Sequence, residues 1–196
     1  MLFDHRRCIT FFLSLSLVAI ASPSFAQHDG PAAHAQTPPG PSPYAGEQTR
    51  AIKALSPAQI DDLRAGRGMA MALAAELNGC PGPAHVLERA DALQLTPAQH
   101  QETSSLMAQM KAQARTLGEE VIQAEAALDG LFSNGHRLDE QTMARAVERA
   151  ALAQGRLRAA HLSYHLAMAK LLTAEQRSRY NVLRGYTNSA SQAGTH

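Results

Sequence analysis

The chain has 196 residues, with 18 lysines and arginines against 17 aspartates and glutamates, nine histidines, two cysteines and no tryptophan. A net charge so close to zero gives it no general electrostatic reason to bind nucleic acid or an anionic membrane, and nucleic acid is not an expected partner. The length allows one domain with a modest core, and the absence of a Gly-rich phosphate loop, a nucleophile elbow or a paired acid and base argues against an enzyme.

Residues 1–26 read as a cleavable signal peptide. Arg6 and Arg7 form a basic start, Ile9 to Ile20 an apolar run, and Ser24 and Ala26 a small-residue site before Gln27, so cleavage is expected after Ala26. The apolar run is shorter than the roughly 20 residues that cross a bilayer. Cys8 precedes this run and does not sit at the cleavage point, as a lipid-attachment cysteine would. The expectation is a soluble protein of a bacterial periplasm. Losing Asp4, Arg6 and Arg7 leaves the mature chain formally neutral, with Cys80 as its single cysteine and no intramolecular disulfide possible.

Residues 27–54 contain Thr37-Pro38-Pro39-Gly40-Pro41-Ser42-Pro43 and almost no apolar periodicity, the composition of a disordered linker. His28 and His34 in this arm have no partners at ligand spacing. The helical domain is then expected over 55–186. Ser56-Pro57-Ala58-Gln59 begins it as a capping box, the serine oxygen accepting from a first-turn N–H and the glutamine reaching back to the cap. The pattern predicts a helix from Ser56 to about Leu77 with Gly79 ending it, although Gly66 and Gly68 each weaken it by about 1 kcal/mol relative to alanine. Asn78 to Pro83 is a break that holds Cys80, which reads either as a small half-buried turn residue or as an intermolecular bridge or soft ligand. A short helix over about Ala84 to Leu93 follows.

Leu95-Thr96-Pro97-Ala98-Gln99 is a second capping box, and a long helix is predicted from Pro97 to about Ser133. Asn134-Gly135 supplies a turn, and a partner helix is predicted from about Asp139 to Leu171. Leu172-Thr173-Ala174-Glu175-Gln176 is a third capping box, starting a last helix to about Arg184, and 187–196 reads as a disordered tail. The long helices carry apolar or small residues at coiled-coil spacing. In the first these are Leu106, Met110, Ala114, Leu117, Val121, Ala124, Leu128 and Leu131; in the second, Met143, Val147, Ala150, Leu157, Tyr164, Met168 and Leu171. A short turn makes them antiparallel. The fold class expected is all-α, a long antiparallel helical hairpin with shorter flanking helices, and its alanine-rich seam leaves an apolar stripe needing cover.

Two of the boxes, Leu95-Thr96-x-x-Gln99 and Leu172-Thr173-x-x-Gln176, flank the hairpin behind an export signal. The chain thereby resembles the Spy/CpxP-type periplasmic proteins named for the L-T-x-x-Q motif, and their relatives the periplasmic heavy-metal-resistance sensors. The resemblance covers roughly Leu55 to Tyr186. It implies a cradle-shaped homodimer of long helical hairpins.

His161, His165 and Met168 stand at i, i+4 and i+7 on one helix face, a spacing at which two histidines can grip a metal. Antiparallel pairing about Gly135 places His161 opposite roughly Lys111 and His165 opposite roughly Met107, with Met107 and Met110 within a turn of both. Imidazole with thioether suits copper, and more imidazole or carboxylate suits nickel or cobalt; zinc is a further divalent candidate. His161 also fits the seam between Leu157 and Tyr164, as a buried structural histidine would. The resembled sensors use helix-borne histidine pairs and a methionine, which implies His161, His165 and Met168 as ligands here. His85, His100 and His136 are isolated and read as structural or solvated, and Arg145, Arg149, Arg156 and Arg158 as a solvated helix face.

Two functions follow as expectations. The first is a periplasmic ATP-independent chaperone or stress-response adaptor holding unfolded or misfolded periplasmic proteins on an amphipathic helical surface. The second is a heavy-metal sensor or resistance protein whose histidine cluster, when occupied, alters contact with a membrane sensor protein.

Overall fold

The structure, a computed structural model, describes residues 40–133 and 139–186. The expected signal peptide, most of the linker, the Asn134-Gly135 turn with His136, and the tail lie outside the described residues. The described residues form six α-helices and no strand: α1 (Pro57–Ala65), α2 (Leu73–Glu76), α3 (Pro83–Glu88), α4 (Pro97–Ser133), α5 (Glu140–Leu171) and α6 (Ala174–Leu183). The chain is all-α, built on the α4–α5 pair, as the periodicity predicts.

Local chemistry explains the helix starts. Ser56, Thr96 and Thr173 each accept from the backbone N–H three residues on at 3.2 Å, and Gln59, Gln99 and Gln176 each accept from the cap N–H at 2.8, 3.1 and 3.0 Å. Asp139 caps α5 by accepting from Thr142 N–H at 2.8 Å. That carboxyl lies below its ordinary range because of the hydrogen bond from Thr142.

The first predicted helix does not run through to Leu77. It ends at Gly66, which has φ +66°, and the chain then passes through left-handed Met69 and Ala70 before α2. The cause is tertiary. At Gly66 a Cβ would sit 2.8 Å from the Lys111 carbonyl oxygen, and at Gly118 one would sit 2.6 Å from the Leu63 carbonyl oxygen. Two glycines thus let α1 press backbone to backbone on α4, and α1 cannot continue along the same line. The helix predicted over 84–93 is likewise shorter, ending at Glu88.

The core has two centres. One gathers Leu63 of α1 with Ala114, Val121 and Ala124 of α4 and Ala150, Ala153 and Leu157 of α5. Ile52, within the stretch expected to be linker, is buried there together with Leu55, and Lys53 between them is tied to Asp129 of α4. The other centre gathers Val86, Leu93, Met168, Leu172 and Tyr180. On α5 the buried stripe runs through Ala150, Ala153, Leu157, Ala160, His161, His165 and Met168. Val147, predicted in the seam, is 47% exposed, and Tyr164 is only half-buried because the histidines on either side take the inward positions.

Candidate functional site

The motif glutamines do more than cap their own helices. Gln99 Nε2 donates to Gln176 Oε1 at 2.9 Å and to the Leu171 carbonyl at 3.1 Å. Gln176 Nε2 donates to Gln99 Oε1 at 3.0 Å and to the Leu93 carbonyl at 3.3 Å. Each amide therefore donates twice and accepts twice, the full pairing that a half-buried amide in this position needs. The two motifs form one reciprocal clamp that joins the start of α4 to the start of α6. Leu172 is buried and Leu95 packs half-buried against the same centre.

A cleft of about 650 Å³ opens where α4 and α5 meet the segment from the end of α1 to α3. His161 and His165 line it from α5, and Met107, Met110 and Lys111 from α4, the pairing that the antiparallel register predicts. The Gly66–Ala70 turn with Met69, and Glu76, Gly82 and His85, complete its walls together with Arg184 and Tyr186. His161 is 2% exposed; its Nδ1 donates to the Leu157 carbonyl at 3.0 Å, and its buried Nε2 has no hydrogen-bond partner among the described residues. His165 Nδ1 donates to the Cys80 carbonyl at 2.7 Å. Cys80 itself is a half-buried free thiol. Met168, the third residue of the predicted trio, is fully buried among Val86, Leu93, Leu172 and Tyr180 and does not line the cleft. Among the described residues, no three His, Cys, Asp or Glu side chains converge as a metal cluster.

Glu76 is the functional-looking residue that sequence reasoning missed. It is 6% exposed and sits at the end of α2, where one carboxylate in an alanine-rich turn has no spacing to give it away. Its Oε1 accepts from the Tyr180 hydroxyl and, at 3.1 Å, from the Tyr186 hydroxyl; its Oε2 accepts from Gly82 N–H at 3.2 Å. His85 Nδ1 at 3.5 Å, Arg184 Nε at 3.6 Å and His165 Nδ1 at 3.8 Å surround it. A buried carboxylate is tolerable only when so thoroughly paired. Burial, followed by the bond to Glu76, pushes the Tyr180 hydroxyl far above the ordinary tyrosine range. His85 is thus not isolated, as its sequence position suggests, but lies at the rim of the cleft against Glu76. His100 is exposed, and Arg145, Arg149, Arg156 and Arg158 all face solvent.

A second concavity, an open groove of about 810 Å³, lies against α1, α2 and α5. Leu55, Leu63, Met69, Met71, Leu73 and Leu77 line it, with Gln154, Gly155 and Arg158 of α5 along one side. Leu73 and Leu77 are half exposed there. Further along α5, Leu152, Gly155, Ala159, Leu162 and Leu166 recur at alternating spacings of three and four, and all but half-buried Leu162 are exposed. Among the described residues no helix is long and apolar enough to cross a membrane.

Compared with known proteins, residues 85–184 match a family model described as LTXXQ motif family protein, just over half of the 196-residue chain. The matched region holds both L-T-x-x-Q copies, the clamp between them, and all three cleft histidines, and it leaves out α1, α2 and Glu76. No curated protein and no solved structure matches the chain.

Proposed function

The chain belongs to the LTXXQ motif family, and from that premise we propose that it is exported to the periplasm and acts there as an ATP-independent chaperone or stress-response adaptor. The observation that carries this reading is the apolar groove walled by Leu55, Leu63, Met69, Met71, Leu73 and Leu77. Water beside such a surface is released when an extended apolar segment of an unfolded client lies on it, which is favourable in proportion to the area covered. Open, shallow walls suit weak and unspecific capture, because no deep pocket selects one side chain. The exposed α5 stripe from Leu152 to Leu166 continues this face. It also suits the homodimer that the family resemblance implies, since Gly155 leaves open space for a close-packed helix. Light scattering by a denatured client diluted into buffer without ATP or metal tests the reading. The mature protein is expected to suppress aggregation, and Leu73→Glu with Leu77→Glu to abolish suppression while leaving the circular dichroism unchanged; equal suppression by the variant defeats the groove. Fractionation of cells, with Gln27 as the first residue of the secreted form, tests the location.

A second reading, a metal-responsive regulator that alters a membrane sensor protein, has the unpartnered His161 Nε2 in its favour. It expects thermal stabilisation by copper, nickel, cobalt or zinc, as any ligand that prefers the folded state gives. No rise in midpoint with any of the four metals removes it.

A further inference from the structure

We propose that the cleft between α4 and α5 is a site for monovalent copper, with Nε2 of His161 and the thioethers of Met110, Met107 and Met69 as its donors and Nε2 of His165 beside them. The proposal rests on the metal-binding reading and goes beyond it in naming the ion and a donor set that no helix-face spacing contains.

Both imidazoles are prepared as ligands. A carbonyl oxygen can only accept, so the bonds from Nδ1 to Leu157 and Cys80 place a proton on Nδ1 in each histidine, and in the neutral imidazole that a metal requires the lone pair is then on Nε2. A backbone carbonyl holding the far nitrogen is the usual arrangement behind a metal-bound histidine. His161 Nε2 is then a buried acceptor with nothing among the described residues to donate to it, a condition that folded proteins rarely leave unanswered. The cleft that His161 lines also offers sulfur. Three of the chain's seven methionines line this one cleft, from two separate elements, α4 and the strained turn after α1. Met110 is buried and half-buried Met69 packs one side against the core of α1, α4 and α5, but Met107 is half-buried outside both core centres, where a methionine is not needed to fill a core.

The choice of ion follows from charge and softness. Thioethers favour Cu(I) over the harder divalent ions. Imidazole and thioether are neutral, so the bound ion keeps its full charge in a buried place, and the solvation it gives up is far smaller for a single charge than for a double one. The carboxylate that would offset a divalent ion is Glu76, and its oxygens are already taken by Tyr180, Tyr186 and Gly82 N–H.

The test is anaerobic titration of the mature protein with Cu(I) in competition with a chromophoric chelator. One equivalent per chain is expected, with Cys80→Ser unchanged and Met107→Leu with Met110→Leu weakened by about tenfold or more. Leucine keeps the volume of methionine, and the circular dichroism of the variant reports whether it folds. X-ray absorption of the wild-type complex needs no variant: a mixed nitrogen and sulfur shell is expected that persists in Cys80→Ser. An all-nitrogen shell, undiminished binding by the methionine variant, or loss of binding in Cys80→Ser alone overturns the proposal. Tighter binding of nickel, cobalt or zinc overturns the choice of copper and leaves the metal reading standing, whereas no binding of any of these ions overturns both.

Discussion

At position 82 the chain carries glycine because the ring of His165 occupies the space a side chain would take. A Cβ there would lie 2.7 Å from His165 Nε2 and 2.8 Å from Cε1, well inside contact distance. The backbone at Gly82 has φ −87°, open to any residue, so the constraint is steric and not conformational. Gly82→Ala is therefore expected to push the imidazole off the Cys80 carbonyl and to cost about 1–3 kcal/mol, as overpacking does; a urea midpoint equal to wild type would mean the ring moves aside freely. Glu76 is a second single-residue dependence. Tyr180→Phe removes one of its three close donors without emptying the space, and a buried carboxylate left short of a donor costs about 1–3 kcal/mol. The phenol has its own pH signature. Its folded pKa is raised, so the stability it contributes is complete below the unfolded value of about 10 and is lost only as pH climbs toward the folded one. In an alkaline absorbance titration, one of the four tyrosines is expected to ionise only with unfolding, and that step is expected to vanish in Tyr180→Phe.

Helices α4, α5 and α6 were legible in the sequence because what fixes them is local: a capping residue, in α4 and α6 a glutamine three positions on, and in the long pair apolar residues at steps of three and four. The end of α1 at Gly66 was not, since it depends on how closely α1 approaches Lys111 and Gly118, residues about 50 positions away. The cleft was half legible. Antiparallel register brings Met107 and Met110 to His161 and His165, but Met69 and Glu76 arrive from a turn that no periodicity describes, and Met168 fits the helix face yet turns into the core. The same division runs through the motif. Each capping box can be read alone, whereas the amide pairing of Gln99 with Gln176 spans 77 residues and exists only once both helices have docked. A double-mutant cycle measures that pairing. Gln99→Ala and Gln176→Ala are each expected to cost about 1–2 kcal/mol, combining a lost box with a lost cross-link. The double variant should fall short of their sum by about 0.5–2 kcal/mol. Strict additivity in chemical denaturation would reduce the two motifs to independent caps.

Across the whole domain, the α4–α5 pair is a thin structure whose lower half depends on what is laid over it. Part of that cover is the segment before α1, where Ile52 and Leu55 enter the core and Leu55 also forms a wall of the apolar groove. Among the described residues a polar fastening holds it to α4: Asp129 accepts from Lys53 N–H at 3.1 Å and from Lys53 Nζ at 3.4 Å. The Lys53 N–H first, and the lysine charge with it, hold the Asp129 carboxyl below its ordinary value. Because the folded pKa is the lower one, the fastening contributes fully above the unfolded value of about 4 and fades as pH falls through the folded one. Asp139 at the start of α5 is depressed in the same sense, so the cap of α5 weakens in the same acid window. Acid is therefore expected to loosen the cover and the hairpin together, exposing Ile52 and Leu55 beside the groove and enlarging its apolar surface before the helices melt. An apolar dye added below about pH 4 should brighten while far-ultraviolet circular dichroism still reports helix, the behaviour of packing lost ahead of secondary structure. Asp129→Ala should bring part of that brightening to neutral pH. If it leaves the dye dark at neutral pH, the packing of Ile52 and Leu55 alone secures the segment, and the acid response must come from the cap of α5.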